Sequence, residues 1–409
     1  PCAEISLASY GGYCIVSDVN GARAETKSQF IKACGLMAKF LVRTNRMKAI
    51  YKAETQRTNR IGVSLLGIHE MAWNMFNLTF RDLIKHYDEL MTHSEDTLRS
   101  MGKNLDNEYS LRNAISFWTM LADARNEVER EAARYAGFLG MRAPDTATCL
   151  KPGGTVSKVM VTTESANLPA YLYYLRWVQY EKDLPGQVGN PQLQDLLDRG
   201  YPMEDISQTL QYPGKVVVGF PTTQPIAETM GSLIVTAAEA SPEQHYQWLH
   251  LLEKFWLGDK NEDGSIRNNM ISYTLKFQAL SPDQPDGVSY EDFKDTILKW
   301  QSQIRCCSFD ASQSIGELKS AHAYLPEEPI SRDKYFALLK SIRRMDAEAY
   351  DNNALQCASG ICPVEEDRYE TAEENIPLSS IWNAGDVEEG SGFDVDNVVP
   401  STGEVFQNA

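Results

Sequence analysis

Residues 60–67 read Arg-Ile-Gly-Val-Ser-Leu-Leu-Gly, a short apolar run bracketed by glycines. Such a run is typical of a buried strand, and it leads directly into a segment around His69–Met75 that is predicted to be helical. A strand followed at once by a helix is the start of a βα unit, which favours an α/β protein.

Long helices and single short strands alternate along the rest of the chain. Apolar residues at three- and four-residue spacing predict helices over 21–55, 79–103, 109–138, 242–257 and 290–303. Strands are predicted over 215–220, ending at Pro221, over 270–277 and over 304–309. This alternation predicts a largely parallel sheet built from βα units.

The composition is that of an ordinary globular protein with a large core: 409 residues, 43% hydrophobic and 23% charged. No run approaches about 18 uninterrupted apolar residues, so no membrane-spanning helix is expected. No signal peptide is visible, and we expect a cytoplasmic protein. Because the chain begins with Pro1, directly before a cysteine interpreted as catalytic, we expect it to be the C-terminal part of a longer protein.

Negative charge is concentrated at the C-terminal end. The formal net charge is −17, and residues 364–409 contain twelve Asp or Glu and one basic residue, Arg368. An acidic stretch with few core-forming residues predicts a disordered extension. So acidic a protein is also a poor non-specific binder of nucleic acid, because that affinity comes from neutralised phosphates.

Cysteine chemistry is predicted at both ends of the chain. Cys2 and Glu4 can project to the same side of an extended segment, and Cys14 follows. This arrangement suits one thiol-centred step and one proton-transfer step on a single substrate. A core cysteine beside a surface glutamate is the alternative, which the spacing leaves open.

A second pair of thiols, Cys357 and Cys362, lies near the end of the chain. Four residues separate them, which permits a reversible disulfide on a pliable arm. Two unrelated cysteines are the alternative. Zinc is disfavoured, because no second cysteine pair or nearby histidine completes a ligand set, and no metal site is expected. The remaining cysteines are interpreted as core residues: Cys34, Cys149, Cys306 and Cys307.

A loop with the composition of an anion site spans residues 149–158, Cys-Leu-Lys-Pro-Gly-Gly-Thr-Val-Ser-Lys. The backbone N–H groups of such a turn can face a phosphate, although the Walker pattern is absent. A tight turn before a strand is the alternative. The candidate phosphate-binding residues are Pro152, Gly153, Gly154, Thr155, Val156 and Ser157.

Together these residues resemble the C-terminal half of a ribonucleotide reductase large chain, most closely the adenosylcobalamin-dependent, monomeric ribonucleoside-triphosphate reductases. The family's Asn-Pro-Cys-x-Glu-Ile loop is similar to residues 1–5. Its Arg-Ile-Gly strand is similar to residues 60–62, and its Lys-Pro-Ser-Gly-Thr-Val-Ser loop to residues 151–157, with glycine for the first serine. Its Tyr-Tyr-x-Arg segment and Cys-x4-Cys-Pro tail resemble residues 173–176 and 357–363.

The resemblance implies the C-terminal half of the family's ten-stranded α/β barrel, with the Cys2 loop inserted through its centre as a finger. Residues 1–350 would belong to the barrel, residues 351–363 would form a mobile redox tail, and residues 364–409 an acidic extension. A separate N-terminal half of the same enzyme would carry the partner of Cys14.

The resemblance also implies a reaction on a ribonucleoside triphosphate. Adenosylcobalamin would supply the radical that oxidises Cys2 to a thiyl, which takes the 3′-hydrogen while Glu4 acts as base on the 3′-hydroxyl. The 2′-hydroxyl leaves as water, and Cys14 with its partner becomes a disulfide. The tail thiols Cys357 and Cys362 would reduce this disulfide and be reduced by thioredoxin. Neither direct nucleic-acid binding nor membrane binding is expected.

Three alternatives remain. In the two-subunit metal-radical class, a Tyr-Tyr pair near the C-terminus carries the radical; here Tyr173-Tyr174 lies far upstream of the tail, and we interpret it as barrel packing. The chain would otherwise be a catalytically silent piece that docks onto a separately encoded N-terminal half. A thiol oxidoreductase built on the tail pair is disfavoured, because no compact CxxC unit is visible.

Overall fold

The structure is a computed structural model, and its described residues are 12–13, 15–47, 52–104, 109–224, 226–259, 261, 264–282, 284–312 and 322–342. The predicted redox residues lie outside this part of the chain: Cys2, Glu4, Cys14, Cys357 and Cys362. The tail and the acidic extension lie outside it as well, so the division at residues 350 and 363 stays a prediction.

The described residues form helices and strands in alternation. The helices are α1 (Lys27–Asn45), α2 (Lys52–Thr58), α3 (Ile68–Phe76), α4 (Phe80–Ile84), α5 (Tyr87–Thr92), α6 (Glu95–Asn104), α7 (Tyr109–Phe138), α8 (Gly154–Met160), α9 (Pro191–Asp198), α10 (Ala227–Met230), α11 (Pro242–Leu252), α12 (Tyr290–Trp300) and α13 (Arg332–Ser341). The strands are β1 (Val16–Asn20), β2 (Gly62–Leu66), β3 (Tyr173–Glu181), β4 (Met203–Asp205), β5 (Lys215–Thr223), β6 (Thr274–Gln278), β7 (Ser308–Ser312) and β8 (Glu327–Pro329).

Parallel segments form the central sheet. β1 pairs with β2, and Val63 of β2 bridges to Thr148 in a third segment. Leu150 of that segment bridges to Ile271, which precedes β6, and β6 pairs with β7. The sheet curls like half of a barrel. The predicted α/β class and parallel core are therefore confirmed for the described residues.

Burial explains why residues 60–67 form the centre of this sheet. Every residue of β2 is buried, so the strand is covered on both faces. Gly62 is needed there, because a Cβ at this position would lie 2.6 Å from the sulfur of Cys149. Helix α1 packs against the sheet and runs beside α7, with Lys39 pairing with Glu131 at 2.7 Å.

A buried aromatic cluster joins α7 to the segment that contains α11. The ring centroid of Trp118 lies 5.5 Å from that of Trp248 and 5.4 Å from that of Phe255. Phe255 belongs to a π-helix, Glu253–Leu257, that directly continues α11. The cluster therefore packs α7 against α11 and the π-helix that continues it.

A separate antiparallel sheet with strand order β4-β5-β3-β8 corrects two predictions. The prediction of a largely parallel sheet holds only for the central sheet, and Tyr173-Tyr174, interpreted as barrel packing, lies in β3 of the antiparallel sheet. β5 also continues through Pro221 to Thr223. Because β4 pairs only with Val216–Val218, proline is tolerated where β5 has no neighbour on that side.

The predicted helix boundaries are partly wrong. The helix expected over 21–55 begins at Lys27, because Thr26 and Gln29 form a capping box, and it ends at Asn45. Residues 79–103 form three short helices instead of one, and Thr79 caps the first. The helix expected over 109–138 is confirmed. Among the described residues, no helix combines the length and the apolar character that a membrane crossing requires.

Candidate functional site

The candidate phosphate loop lies at the carboxyl edge of the parallel sheet. Leu150 ends the third segment, and residues 151–153 lead from it into α8. β2 ends at Leu66 on the same edge, because the two segments run parallel. This edge is where ligands commonly bind to parallel α/β sheets.

Gly153 makes the turn into α8. Its φ is +68°, a region that favours glycine. A Cβ at this position would also lie 2.6 Å from Cδ2 of Leu66, which is buried. Glycine is therefore the residue that fits here, where the resembling motif has serine.

The first turn of α8 offers backbone N–H groups to a ligand. Gly153 is the N-cap and supplies no side-chain acceptor. The N–H of Ser157 donates to the carbonyl of Gly153 at 2.8 Å, whereas the N–H groups of residues 154–156 have no acceptor within the helix. Three such groups at one helix start suit an anion.

The hydroxyl groups of the loop differ in what they can do. Ser157 is buried, and its Oγ donates to the carbonyl of Gly154 at 3.0 Å. Thr155 is exposed. Thr155 therefore has the hydroxyl that a ligand can reach, while the hydroxyl of Ser157 stabilises the turn.

The loop is anchored to β1 and β2. The N–H of Lys151 donates to Oγ of Ser64 at 3.0 Å, and its ammonium forms an ion pair with Asp18. Asp18 is opposite Ser64 in the register of the two strands, and its side chain is 4% exposed. Sequence reasoning missed Asp18, because a single acidic residue in a short strand carries no pattern.

Lys158, directly after the loop, lies in a cluster of charges. Its Nζ donates to the hydroxyl of Tyr174 at 3.1 Å and lies 3.2 Å from Oε1 of Glu164 and 3.5 Å from Oε1 of Glu327. Burial lowers the pKa of Lys158, but Glu327, Tyr174 and Glu164 outweigh burial and raise it above its usual value. The ammonium is therefore charged at neutral pH.

A polar cavity of about 230 Å³ adjoins this cluster. Its polar lining includes Lys158, Glu164, Asn167, Gln224, Lys276 and Glu327. Glu164 also reaches the start of α8, because a Cβ at Gly154 would lie 3.7 Å from its Oε1. The cavity and the candidate loop are thus neighbours that share one carboxylate.

Glu70 fixes the segment that carries Glu164. The N–H of Thr163 donates to Oε1 of Glu70 at 2.7 Å, and the hydroxyl of Thr163 donates to Oε2 at 2.5 Å. Burial raises the pKa of Glu70. The adjacent His69 stacks on Trp248, and burial lowers the pKa of His69 to about 4, so it is neutral. These groups support the site from the core.

The cysteines of the described part form no disulfide with one another. Cys34 and Cys149 are buried, as predicted, whereas Cys306 and Cys307 are only half-buried. Burial raises the pKa of Cys307 to about 12, so its thiol is protonated. No group of three or more His, Cys, Asp or Glu in the described ranges could hold a metal ion.

Known proteins match most of the length of this chain, although no family model matches it. The adenosylcobalamin-dependent ribonucleoside-triphosphate reductase of Levilactobacillus brevis is 24% identical over 381 residues, 89% of this chain and 45% of the relative. The enzyme of that name from Euglena gracilis is 22% identical over 385 residues, 92% of this chain and 41% of the relative. The chain thus spans less than half the length of these curated relatives.

A solved structure shares the fold. The crystal structure of a B12-dependent, class II ribonucleotide reductase superposes with a TM-score of 0.57 at 18% identity, covering 84% of this chain and 42% of that chain. The chain is thus a distant homologue of adenosylcobalamin-dependent, class II ribonucleotide reductases and corresponds to part of their length.

Proposed function

We propose that this chain is one half of a ribonucleotide reductase active site, which reduces ribonucleoside triphosphates to 2′-deoxyribonucleotides once the other half is supplied. The observation that carries the proposal is the loop at residues 152–157. It presents N–H groups that have no acceptor within their helix at the carboxyl edge of a half-barrel, in a chain homologous to these enzymes over 89% of its length.

The proposed roles of the chain's own residues follow the order of the reaction. Cys2, as a thiyl, takes the 3′-hydrogen, and Glu4 accepts the proton of the 3′-hydroxyl. Cys14 and a thiol of the other half supply two electrons and two hydrogens, of which one leaves with the 2′-hydroxyl as water and the other is added at C2′. Glu4 returns its proton to the 3′-oxygen, and Cys2 returns the 3′-hydrogen to the sugar, which restores the thiyl. Cys357 and Cys362 then reduce the resulting disulfide by exchange, and thioredoxin reduces this pair.

The phosphate loop would hold the substrate during these steps. The N–H groups of residues 154–156 and the hydroxyl of Thr155 would bind phosphate oxygens. Anchoring of Lys151 by Asp18 and Ser64 fixes the loop on the sheet. Fixed positioning of this kind is how a protein brings a bound sugar to its reacting groups.

Adenosylcobalamin enters the proposal through the relatives, which are named for their dependence on it. Cavities of about 230, 400 and 490 Å³ in the described part are in the range of small ligands and do not enclose a corrin with its nucleotide. These cavities therefore do not fit the cofactor, and no described residue is assigned to it.

The test is reconstitution. This chain is mixed with a polypeptide supplying the relatives' N-terminal half, and conversion of a ribonucleotide to its deoxy form is assayed under dithiol, with and without adenosylcobalamin. We expect product only when both halves and the cofactor are present. Product that needs a metal-radical subunit instead would move the chain to the two-subunit class.

A catalytically silent piece is the second candidate, because the chain covers only 45% of the L. brevis enzyme. Complex formation without product under any of these conditions would favour it.

The proposed role of the tail cysteines as an electron shuttle has its own test. Cys357→Ser should reduce turnover with thioredoxin and spare turnover with a small dithiol, which reaches the active-site disulfide directly.

A further inference from the structure

A cavity of about 400 Å³ lies between the helices α1, α6 and α7. Its volume is in the range of small-molecule sites. Each of the three helices contributes one cation to its wall: Lys27 from α1, Arg99 from α6 and Arg112 from α7. Among its described lining residues, Asp123 alone is acidic. The wall is therefore mainly cationic, in a chain whose formal net charge is −17.

The carboxylates near this cavity are engaged or lie outside it. Asp123 accepts a hydrogen bond from Nη2 of Arg99. Glu25 and Asp96, near the starts of α1 and α6, do not line the cavity. Further carboxylates of α6 and α7 pair elsewhere, Glu95 with Arg125, Glu127 with Arg130 and Glu129 with Arg267.

Lys27 has neutral partners. Its Nζ donates to Oγ of Ser116 and lies 5.2 Å from the ring centroid of Phe76, and it forms no ion pair with a carboxylate of the described residues. Burial lowers the pKa of Lys27, and the charge of Asp123 offsets this only in part. An anion in the cavity would supply the counter-charge that this ammonium lacks.

Thr119 adds a buried hydroxyl to the same wall. It is 8% exposed and lines the cavity, and its Oγ1 has no hydrogen-bond partner. Because a buried polar group without a partner costs free energy, a ligand oxygen that accepts from this hydroxyl would be stabilising. The rest of the wall includes the apolar side chains of Ile31, Ile115 and Met120. The cavity thus suits a ligand with an anionic group and an apolar body.

We propose that this cavity binds a small organic phosphate. The phosphate group contacts Lys27, Arg99 and Arg112 and accepts from the hydroxyl of Thr119, while the apolar body packs on the side chains around Met120. Cations from three helices suit the oxygens of a phosphate, which point in several directions, better than the two oxygens of a carboxylate. The site shares no residue with the candidate phosphate loop and does not depend on the proposed reductase activity.

The test measures binding of phenyl phosphate to the whole chain by isothermal titration calorimetry, beside inorganic phosphate and benzoate. Phenyl phosphate should bind about tenfold more tightly than inorganic phosphate, because its ring buries apolar surface. It should also bind more tightly than benzoate. Equal affinity for the two phosphates would overturn the role of the apolar wall, and tighter binding of benzoate would overturn the choice of phosphate.

Lys27→Met should weaken binding of phenyl phosphate about tenfold or more, the loss expected for a charge-assisted contact. Lys32→Met is the matched control, since Lys32 is an exposed lysine of the same helix that does not line the cavity. Its affinity should equal that of the unmodified chain. Equal losses in the two variants would assign binding to general surface charge and overturn the inference.

Thr119→Val separates binding from folding, because it removes the hydroxyl and keeps the shape of the side chain. It should weaken binding about threefold, while the urea midpoint does not fall, since the unpaired hydroxyl contributes nothing to the fold. A fall in both would assign Thr119 to the fold, and Lys27→Met would then decide the inference. Unchanged affinity in Lys27→Met or in Thr119→Val, or no binding by the unmodified chain, would overturn it.

Discussion

At the scale of single residues, alanine substitutions at Gly153 and Gly140 separate the cost of backbone strain from the cost of a steric clash. Both have positive φ, +68° and +66°. A Cβ at Gly153 would meet Leu66, whereas a Cβ at Gly140 would meet nothing within 4 Å. The backbone cost of alanine, about 1–2 kcal/mol, is common to the two positions.

We therefore predict that Gly153→Ala lowers the free energy of unfolding by about 1–3 kcal/mol more than Gly140→Ala does, because only the former overpacks a buried site. Urea denaturation of the two variants measures the difference. Equal losses would show that Leu66 moves aside freely and that the loop tolerates a side chain.

Glu253 gives a pH-dependent prediction. Burial raises its pKa to about 7, although the N–H of Arg305 donates to its Oε1 at 2.8 Å. The folded state thus keeps a proton that the unfolded state, with a pKa near 4.5, has lost. Stability should fall as pH rises between these values, by at most about 1.4 kcal/mol per pH unit.

Glu253→Gln should flatten this dependence, because the amide keeps the acceptor for Arg305 and does not ionise. Urea denaturation of both proteins between pH 5 and pH 8 is the measurement. The difference in stability should change with pH in favour of the variant. Parallel profiles would mean that Glu253 titrates normally in the folded chain.

At the scale of secondary structure, the π-helix after α11 depends on one buried arginine. Nη1 of Arg125 donates to the carbonyls of Lys254 and Phe255 at 3.1 and 3.0 Å, and Nη2 pairs with Glu95 at 2.7 Å. A π-turn leaves carbonyls that need partners from outside, and the Arg125 side chain is only 3% exposed.

Arg125→Met should therefore cost about 3 kcal/mol of unfolding free energy, because it leaves buried carbonyls and the Glu95 carboxylate without their partner. Arg130→Met is the control on the same helix, since Arg130 is exposed and pairs with Glu127 and with Glu131, and Glu131 keeps Lys39 and Arg134 as partners. The control should change stability by about 0.5 kcal/mol or less. Similar losses in both would assign the effect to α7 itself rather than to the π-turn.

Elements with a strong local signal were predictable from the sequence. The buried run at residues 62–66 is marked by its flanking glycines and the long helix at 109–138 by its periodicity, and both lie where expected. The antiparallel sheet was missed, because pairing of Tyr173 with Thr223 is set by contacts distant in the chain. Pro221 suggested the end of a strand. β5 continues through it because β4 pairs only with Val216–Val218 and so does not extend to Pro221.

At the scale of the whole molecule, the site was predictable as motifs but not as an arrangement. The loop at residues 152–157 could be identified from its glycines, since their backbone requirements are local. Asp18 and Glu327 could not, because they reach Lys151 and Lys158 from distant parts of the chain. Long-range charge pairs carry no sequence pattern of their own.

The same scale yields a prediction about completion of the barrel. In the described part, β1 and β7 each pair on one side only, and unpaired strand edges invite pairing with further chain. The class II structure that this fold matches is more than twice as long as the matched region. Adding a polypeptide that supplies the relatives' N-terminal half should therefore slow amide hydrogen exchange in β1 or β7 by about tenfold or more, measured by mass spectrometry. β5, in the antiparallel sheet, is the internal control, and its exchange should be unaffected.

Protection confined to helices, with the exchange of both edge strands unchanged, would mean that the halves associate without closing the sheet. The proposed shared active site would then lack the continuous sheet on which it depends.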